Sequence, residues 1–220
     1  MLAGLTVTPA VAAGANLNDV ARYLAGLPVS SGSALEPLTQ EPSWRAHAQQ
    51  LNAAWARLDS EQLAKIRNWS STHVTSPNRT LLYMFSGPDY LYARAFYPEA
   101  RTYVLAGLEL PGTAPDLTAM NAGLRQRGLE NLRVSLKTIL QASFFITADM
   151  ARELHGQGFL GTVPVLFVFL ARSGMEIRSL NYVRLNNEGV AEDVATAPPQ
   201  RPSGVKITFY DRERSTERVL

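Results

Sequence analysis

The sequence predicts an α/β domain with a mixed sheet. The sheet begins with a parallel βαβ unit and ends with an antiparallel hairpin, and a helical N-terminal segment packs on it. Three observations support this prediction. Thr80–Gly112 has the pattern strand, turn, helix, strand, and Thr162–Leu185 contains two strand-like runs around the turn signal Ser173-Gly174. Leu17–Trp69 carries apolar residues at the three- and four-residue spacing of amphipathic helices.

The predicted βαβ unit has a clear boundary at each step. Thr80–Phe85 is an apolar, aromatic run of strand length, and Ser86-Gly87-Pro88-Asp89 interrupts it with turn residues. Tyr90–Tyr97 is short and amphipathic, and Pro98 ends it. Thr102–Leu108 is a second buried-strand run. Two such strands joined by a helix normally form a right-handed parallel unit.

The N-terminal segment contains helix patterns separated by a loop. Leu17–Leu27 is a short helix with Asn16 or Asn18 as candidate cap, and Pro28–Pro42 is a loop rich in Ser, Gly, Thr and Pro. Ser43 is a candidate N-cap for a second helix. Asp59-Ser60-Glu61-Gln62 resembles a capping box and predicts a separate third helix that runs to Trp69.

Beyond Gly112 the sequence predicts helices first and strands afterwards. Asp116 is a candidate cap for a helix ending near Arg127, with Gly128 as the glycine that follows it. Further predicted helices are Leu129–Phe145 and Thr147–His155. Thr162–Ala171 is apolar on both faces, which is typical of a buried central strand. The remaining predicted elements are the strands Met175–Leu185 and Val205–Tyr210, a turn at Asn186–Gly189, a loop over Ala191–Ser203, and a strand that starts at Arg218-Val219-Leu220.

Composition limits the classes of protein that this chain can be. Its 220 residues are 46% hydrophobic and 18% charged, which is typical of one globular domain. The formal net charge of +2 does not favour a nucleic-acid partner. Without Cys, the chain has no disulfide, thiol nucleophile or zinc-thiolate site. No stretch reaches 18 unbroken apolar residues, so no transmembrane span is expected.

The N-terminus predicts a location. Leu2–Gly14 is small, apolar and uncharged, and Ala10-Val11-Ala12 is an A-x-A triplet near its end, which resembles a secretory signal peptide. No Lys or Arg precedes it. The sequence thus predicts a signal-like segment, 1–15, and one α/β domain, 16–220, that is periplasmic or secreted. The alternative is a disordered tail on a cytoplasmic protein. The apolar run at Leu220 predicts that the chain continues further or pairs with another strand.

The candidate site lies at the carboxyl ends of the two βαβ strands, where ligands bind in parallel sheets. Asp89 and Glu109 are candidate catalytic carboxylates, because acid/base catalysis needs two carboxyl groups in different environments. Candidate ligand-binding residues are Ser86, Gly87, Tyr90 and Tyr92. The alternative is structural: Ser86 and Asp89 cap the helix, and Glu109 caps the next turn.

An acidic residue at the end of the second strand also suggests a Rossmann-like enzyme that uses a nucleotide or a methyl donor. The turn, however, holds one glycine, Gly87, instead of the G-x-G-x-x-G pattern. We therefore expect no cofactor. We also expect no metal, because His47, His73 and His155 are scattered and show no metal-ligand spacing.

FSGPDYLYARAFYP followed by TYVLAGLE resembles a segment of uncharacterised exported bacterial proteins. The likeness covers about residues 80–112. It implies bacterial origin and export, and it transfers no activity and no catalytic residue. The sequence thus predicts first an exported binding module for a small molecule or envelope component. A hydrolase using Asp89 and Glu109 is the second hypothesis, and the nucleotide- or methyl-donor-dependent enzyme is the third.

Overall fold

The computed structural model describes residues 16–75, 79–84, 89–107, 109–142, 159, 161–194, 204–211 and 216–220. The helices are Leu17–Leu24 (α1), Pro42–Leu58 (α2), Ala64–His73 (α3), Tyr90–Phe96 (α4), Ala122–Ala142 (α5) and Val163–Arg172 (α6). The strands are Thr80–Tyr83 (β1), Thr102–Leu105 (β2), Met175–Leu185 (β3), Ala191–Val194 (β4), Gly204–Asp211 (β5) and Glu217–Val219 (β6). None of the helices in these ranges has the length and hydropathy that a membrane span requires.

The sheet is mixed, as predicted, and its strand order is β1-β2-β6-β5-β3-β4. Strands β1 and β2 are parallel, with Thr80 opposite Thr102, so the predicted βαβ unit is confirmed. Strand β6 lies parallel to β2 on one side and antiparallel to β5 on the other. It therefore joins the parallel unit to the antiparallel strands β5, β3 and β4.

The N-terminal helices pack as predicted, with two corrections. Helix α2 begins at Pro42 after Glu41, so Ser43 lies inside the helix and is not its cap. The predicted break at Asp59 is wrong, because Asp59–Leu63 forms a π-helical segment that connects α2 to α3. The extra residue of a π segment is absorbed within one helix without ending it.

Helix α1 is held against α2 through its last carbonyl groups. The side chain of Asn16 caps α1 by accepting from the backbone N–H of Asp19 at 2.8 Å, as predicted. At the other end, the Trp44 indole donates to the Tyr23 carbonyl at 3.0 Å, and His47 Nε2 lies 2.8 Å from the Leu24 carbonyl oxygen. The Tyr23 carbonyl also accepts from the N–H of Gly26 at 3.1 Å, so the side chains of α2 supplement the capping at the end of α1.

The prediction of a strand over Thr162–Ala171 is wrong, because Val163–Arg172 is helix α6. Every residue from Val163 to Leu170 is buried, and the helix packs against α1, α4, α5 and β3. A ten-residue apolar run fits a buried helix and a buried strand equally well. Pro164 stands in the first turn, where its missing N–H removes no helix bond.

The antiparallel hairpin is real, but it lies further along the chain than predicted. Ser173-Gly174 links α6 to β3, and Gly174 has φ of 73°. The hairpin is formed by β3 and β4 around the predicted turn at Asn186–Gly189. Ala191–Val194 is therefore a strand where the sequence predicted a loop.

Helix α5 replaces two predicted helices. Asp116 accepts from the N–H of Ala119 in a preceding turn, and the side chain of Asn121 accepts from the N–H of Leu124. Gly128 lies inside the helix, where a Cβ atom would come within 2.8 Å of the Phe159 ring. This glycine makes room for a packed ring and does not end the helix. The predicted helix Thr147–His155 lies outside the described residues.

Candidate functional site at the strand ends

The two predicted carboxylates follow two strands that are neighbours in the sheet. Tyr83 and Leu105, the last residues of β1 and β2, are register partners. Asp89 precedes α4, which follows β1, and Glu109 lies on the segment that follows β2. Both residues therefore follow the carboxyl ends of neighbouring parallel strands along the chain, and their membership of one site stays a prediction.

Asp89 is a helix cap with an unusual environment. One carboxylate oxygen accepts from the N–H of Tyr92 at 3.1 Å, and the other accepts from the Tyr83 hydroxyl at 3.3 Å. The residue is only 5% exposed. Burial raises the pKa of Asp89 to about 7, although both hydrogen bonds oppose this change. At an exposed cap the same hydrogen bonds would lower the pKa, so burial is what gives Asp89 the neutral-range acidity that proton transfer requires.

The carboxylate of Glu109 differs from that of Asp89 in its hydrogen bonding. Both of its carboxylate oxygens are shielded from solvent, and neither accepts a hydrogen bond from any residue that the structure describes. The alternative role of Glu109 as a turn cap therefore has no donor in these ranges. Buried carboxylate oxygens without donors are unfavourable, because they have lost water and gained no replacement.

The segment that carries Glu109 is fixed by helix α6. The backbone N–H groups of Thr162 and Val163 donate to the carbonyls of Leu110 and Pro111 at 3.1 and 2.9 Å. The Tyr182 hydroxyl donates to the Gly112 carbonyl at 3.1 Å. The carbonyl groups of this segment thus accept from N–H groups that the start of a helix otherwise leaves unpaired.

Gly161 permits this close approach. Its φ is 73°, and a Cβ atom at this position would lie 2.3 Å from the backbone nitrogen of Gly112. Only a residue without a side chain meets both conditions at once. Gly161 is therefore a positioning element for the Glu109 segment, and no feature of the local sequence pattern revealed it.

The predicted ligand-binding residues have different placements. Tyr90 is fully buried, with its ring edge-on to Tyr103 at 5.2 Å and to Phe209 at 5.5 Å. Tyr92 is 8% exposed, and its hydroxyl lies 3.4 Å from Gln62 Oε1. Both rings belong to the protein interior, and their role in ligand binding stays a prediction. Ser86 and Gly87 lie outside the described residues.

A second concave feature was not predicted. A cleft of about 300 Å³ lies where α2, the π segment and α3 meet α4 and the end of α6. Its charged lining residues are Arg67, Arg94, Arg172 and Asp59. These residues are far apart in the sequence, so only the fold brings them together. Within the described ranges, no group of three or more acidic or His side chains could hold a metal ion.

Comparison with known proteins was made at three levels. No protein-family model, no curated protein and no solved structure matches this chain. The resemblance to exported bacterial proteins therefore stays a prediction.

Proposed function

We propose that this chain is an exported binding protein that takes a small polar ligand at the carboxyl ends of β1 and β2. The Glu109 carboxylate is the observation that carries the proposal. Its oxygens are shielded from water and lack donors among the described residues. A ligand hydroxyl or amine would supply the missing hydrogen bonds. Asp89, with a pKa of about 7, is about half protonated at pH 7, so it would offer the same ligand a donor in the acid form and an acceptor in the ionised form.

A thermal-shift screen tests ligand binding. Purified protein is tested with glucose and N-acetylglucosamine as envelope-type sugars, and with ATP, S-adenosylmethionine and Mg²⁺ to cover the nucleotide and methyl-donor hypotheses. We expect a sugar to raise the unfolding temperature, because a ligand that binds only the folded state stabilises it. Glu109→Gln should abolish the shift, whereas Glu99→Gln, at an exposed glutamate, should preserve it. A sugar shift that survives in Glu109→Gln would contradict the site.

Export is supported by the signal-like segment Leu2–Gly14. The chain is expressed in a bacterium, and the periplasmic fraction is analysed by intact mass. We expect a mature species cut after the Ala10-Val11-Ala12 triplet. Full-length protein confined to the cytoplasm would refute export and leave the ligand site untouched.

A hydrolase is the second candidate, and the contrast between the two carboxyl groups favours it. Asp89 is hydrogen-bonded with a pKa of about 7, and Glu109 has no donor in the described structure. Two carboxyl groups in different environments can divide the roles of acid and base. Hydrolysis of p-nitrophenyl glycosides and esters is the assay. We expect Asp89→Asn and Glu109→Gln to abolish it while the variants stay folded. Loss of the fold in Asp89→Asn, or activity unchanged in both, would contradict catalysis.

A further inference from the structure

The cleft between the N-terminal helices and α4 carries an excess of positive charge. Three guanidinium groups line it, from Arg67, Arg94 and Arg172, against one carboxylate, from Asp59. Arg67 Nη1 pairs with Asp59 Oδ1 at 2.8 Å, and the side chains of both remain about half exposed. This pair offsets one positive charge, so the lining keeps a net charge of about +2 to which all three arginines contribute.

The positive charge of Arg94 is only weakly compensated by acidic groups. Its nearest acidic partner is Asp211, whose Oδ2 lies 3.9 Å from Nη2, at the outer limit of an ion pair. A second guanidinium nitrogen, Nη1, donates a long hydrogen bond of 3.4 Å to the carbonyl of Pro98. Arg94 therefore keeps much of its capacity to attract an anion into the cleft.

Of the three lining arginines, Arg172 has the least charge compensation. Its guanidinium donates to the carbonyl of Ala25 and lies over the Trp55 ring, 5.8 Å from the centroid. Its Nε is buried without an acceptor, and no acidic side chain of the described structure pairs with it. Burial lowers the pKa of Arg172 to about 10, which still leaves it charged at neutral pH. A partly buried charge without a counterion is unfavourable, and a bound anion would relieve this cost.

Apart from Ser173, the rest of the lining is apolar. Trp55 and Leu91 contribute walls beside the arginines. A cleft of about 300 Å³ is at the lower end of the range for small-molecule sites. Guanidinium groups match the oxygen geometry of carboxylates and phosphates, and the apolar walls suit a hydrocarbon or aromatic body.

We propose that this cleft binds a small organic anion, in which a carboxylate or phosphate group is joined to an apolar body. The oxyanion lies among Arg67, Arg94 and Arg172, and the body packs beside Trp55 and Leu91. This site is separate from the strand-end site and does not depend on Asp89 or Glu109. A result that refutes one of the two proposals therefore leaves the other unaffected.

Isothermal titration tests the site with phenyl phosphate, benzoate and phenol. Phenyl phosphate and benzoate should bind the wild-type chain, and phenol, which lacks the charge, should bind at least about tenfold more weakly. The tighter of the two anions identifies which oxyanion the site prefers. Absence of binding by both anions, or phenol binding as tightly as they do, would overturn the proposal.

Two matched arginine variants and a third substitution, Asp59→Asn, assign the binding to the cleft. Arg67→Gln removes one lining cation and should weaken the preferred anion about tenfold. Arg57→Gln removes an arginine from the neighbouring helix together with its Glu61 ion pair, but Arg57 does not line the cleft, so affinity should be unchanged. Asp59→Asn frees Arg67 and should tighten binding about threefold. Equal weakening by Arg57→Gln and Arg67→Gln, or weaker binding in Asp59→Asn, would refute the site.

Discussion

The Tyr83 hydroxyl donates a hydrogen bond to Oδ2 of Asp89, and this bond connects the last residue of β1 to the cap of α4. It spans the segment where the chain turns from strand to helix. Tyr83 is partly exposed, whereas Asp89 is buried. Burial dominates the raised pKa of Asp89, and the Tyr83 hydroxyl, like the Tyr92 N–H, opposes it by stabilising the ionised form.

Tyr83→Phe should raise the pKa of Asp89 further above its ordinary value. The hydroxyl stabilises the ionised carboxylate, so its removal favours the neutral acid. The measurement is an NMR titration of the Asp89 carboxyl carbon in both proteins. An unchanged or lower pKa in the variant would show that the hydroxyl does not act on Asp89 in solution.

Asp89→Asn should stabilise the protein more at pH 8 than at pH 4. The folded-state pKa of about 7 lies above the unfolded value, so the folded protein holds this proton more tightly. The contribution of Asp89 to the free energy of unfolding is thus complete below about pH 4 and falls as the pH rises towards 7. An Asn can still cap α4 but does not titrate. The difference between the two pH values should be on the order of 4 kcal/mol.

Denaturant unfolding at both pH values measures this difference. Asp116→Asn is a suitable control, because Asp116 is an exposed aspartate whose side chain also accepts a backbone N–H. Its hydrogen bonds lower its pKa, so the stabilisation that Asp116 contributes is lost only as pH falls below about 4. The effect of Asp116→Asn relative to the wild type should therefore change little between pH 4 and pH 8, and in the opposite direction to that of Asp89→Asn. The same pH trend in both variants would contradict the assignment to Asp89.

His47 should make the protein less stable in acid. Burial lowers the pKa of His47 to about 4, and the nearby charges of Arg133 and Arg172 add to this effect. The neutral ring is therefore required in the folded state, and its contribution is lost as pH falls from about 6.5 towards 4. The size is on the order of 3 kcal/mol.

This loss runs opposite to the titration of Asp89 over nearly the same pH range, so the wild-type curve partly conceals it. The measurement is the unfolding free energy against pH in the Asp89→Asn background, with and without His47→Gln. We expect the first variant to lose stability below pH 6.5 and the double variant to lose much less. Parallel curves would exclude His47 as the titrating group.

Gly161→Ala should destabilise the protein by at least about 3 kcal/mol. The substitution forces a side chain into a positive-φ conformation and against the backbone of Gly112. Gly189→Ala is the matched control, because its φ of 77° is similar and nothing lies within 4 Å of the added Cβ. The control should cost only about 1 kcal/mol. Equal costs would mean that the contact between the two loops does not hold in solution.

The sequence was most informative where the signals are local. Thr80–Phe85 and Thr102–Leu108 are short, β-rich and bounded by turn residues, so their parallel pairing could be predicted. Asp89 could be placed at a helix start because caps follow local rules. The same rules failed at Gly128, which is required by the ring of Phe159 and not by the end of a helix.

Two other features could not be predicted because they depend on tertiary contacts. Helix α6 is apolar all round since it is enclosed on every side, and such a run carries no period that separates helix from strand. The cleft arginines come from three helices, and no spacing in the sequence links Arg67 to Arg172. The raised pKa of Asp89 likewise comes from burial by distant segments.

Strand β6 has a kinetic consequence. It lies between β2 and β5, so the inner edge of β2 has no partner until Glu217–Val219 has been made. During synthesis on the ribosome, α5, α6 and the strands β3 to β5 all emerge while that edge is open. Contacts between such distant segments form slowly, and an open edge can pair with other chains. The order of synthesis therefore makes the docking of β6 the late step of folding and the interval before it the period of greatest risk of aggregation.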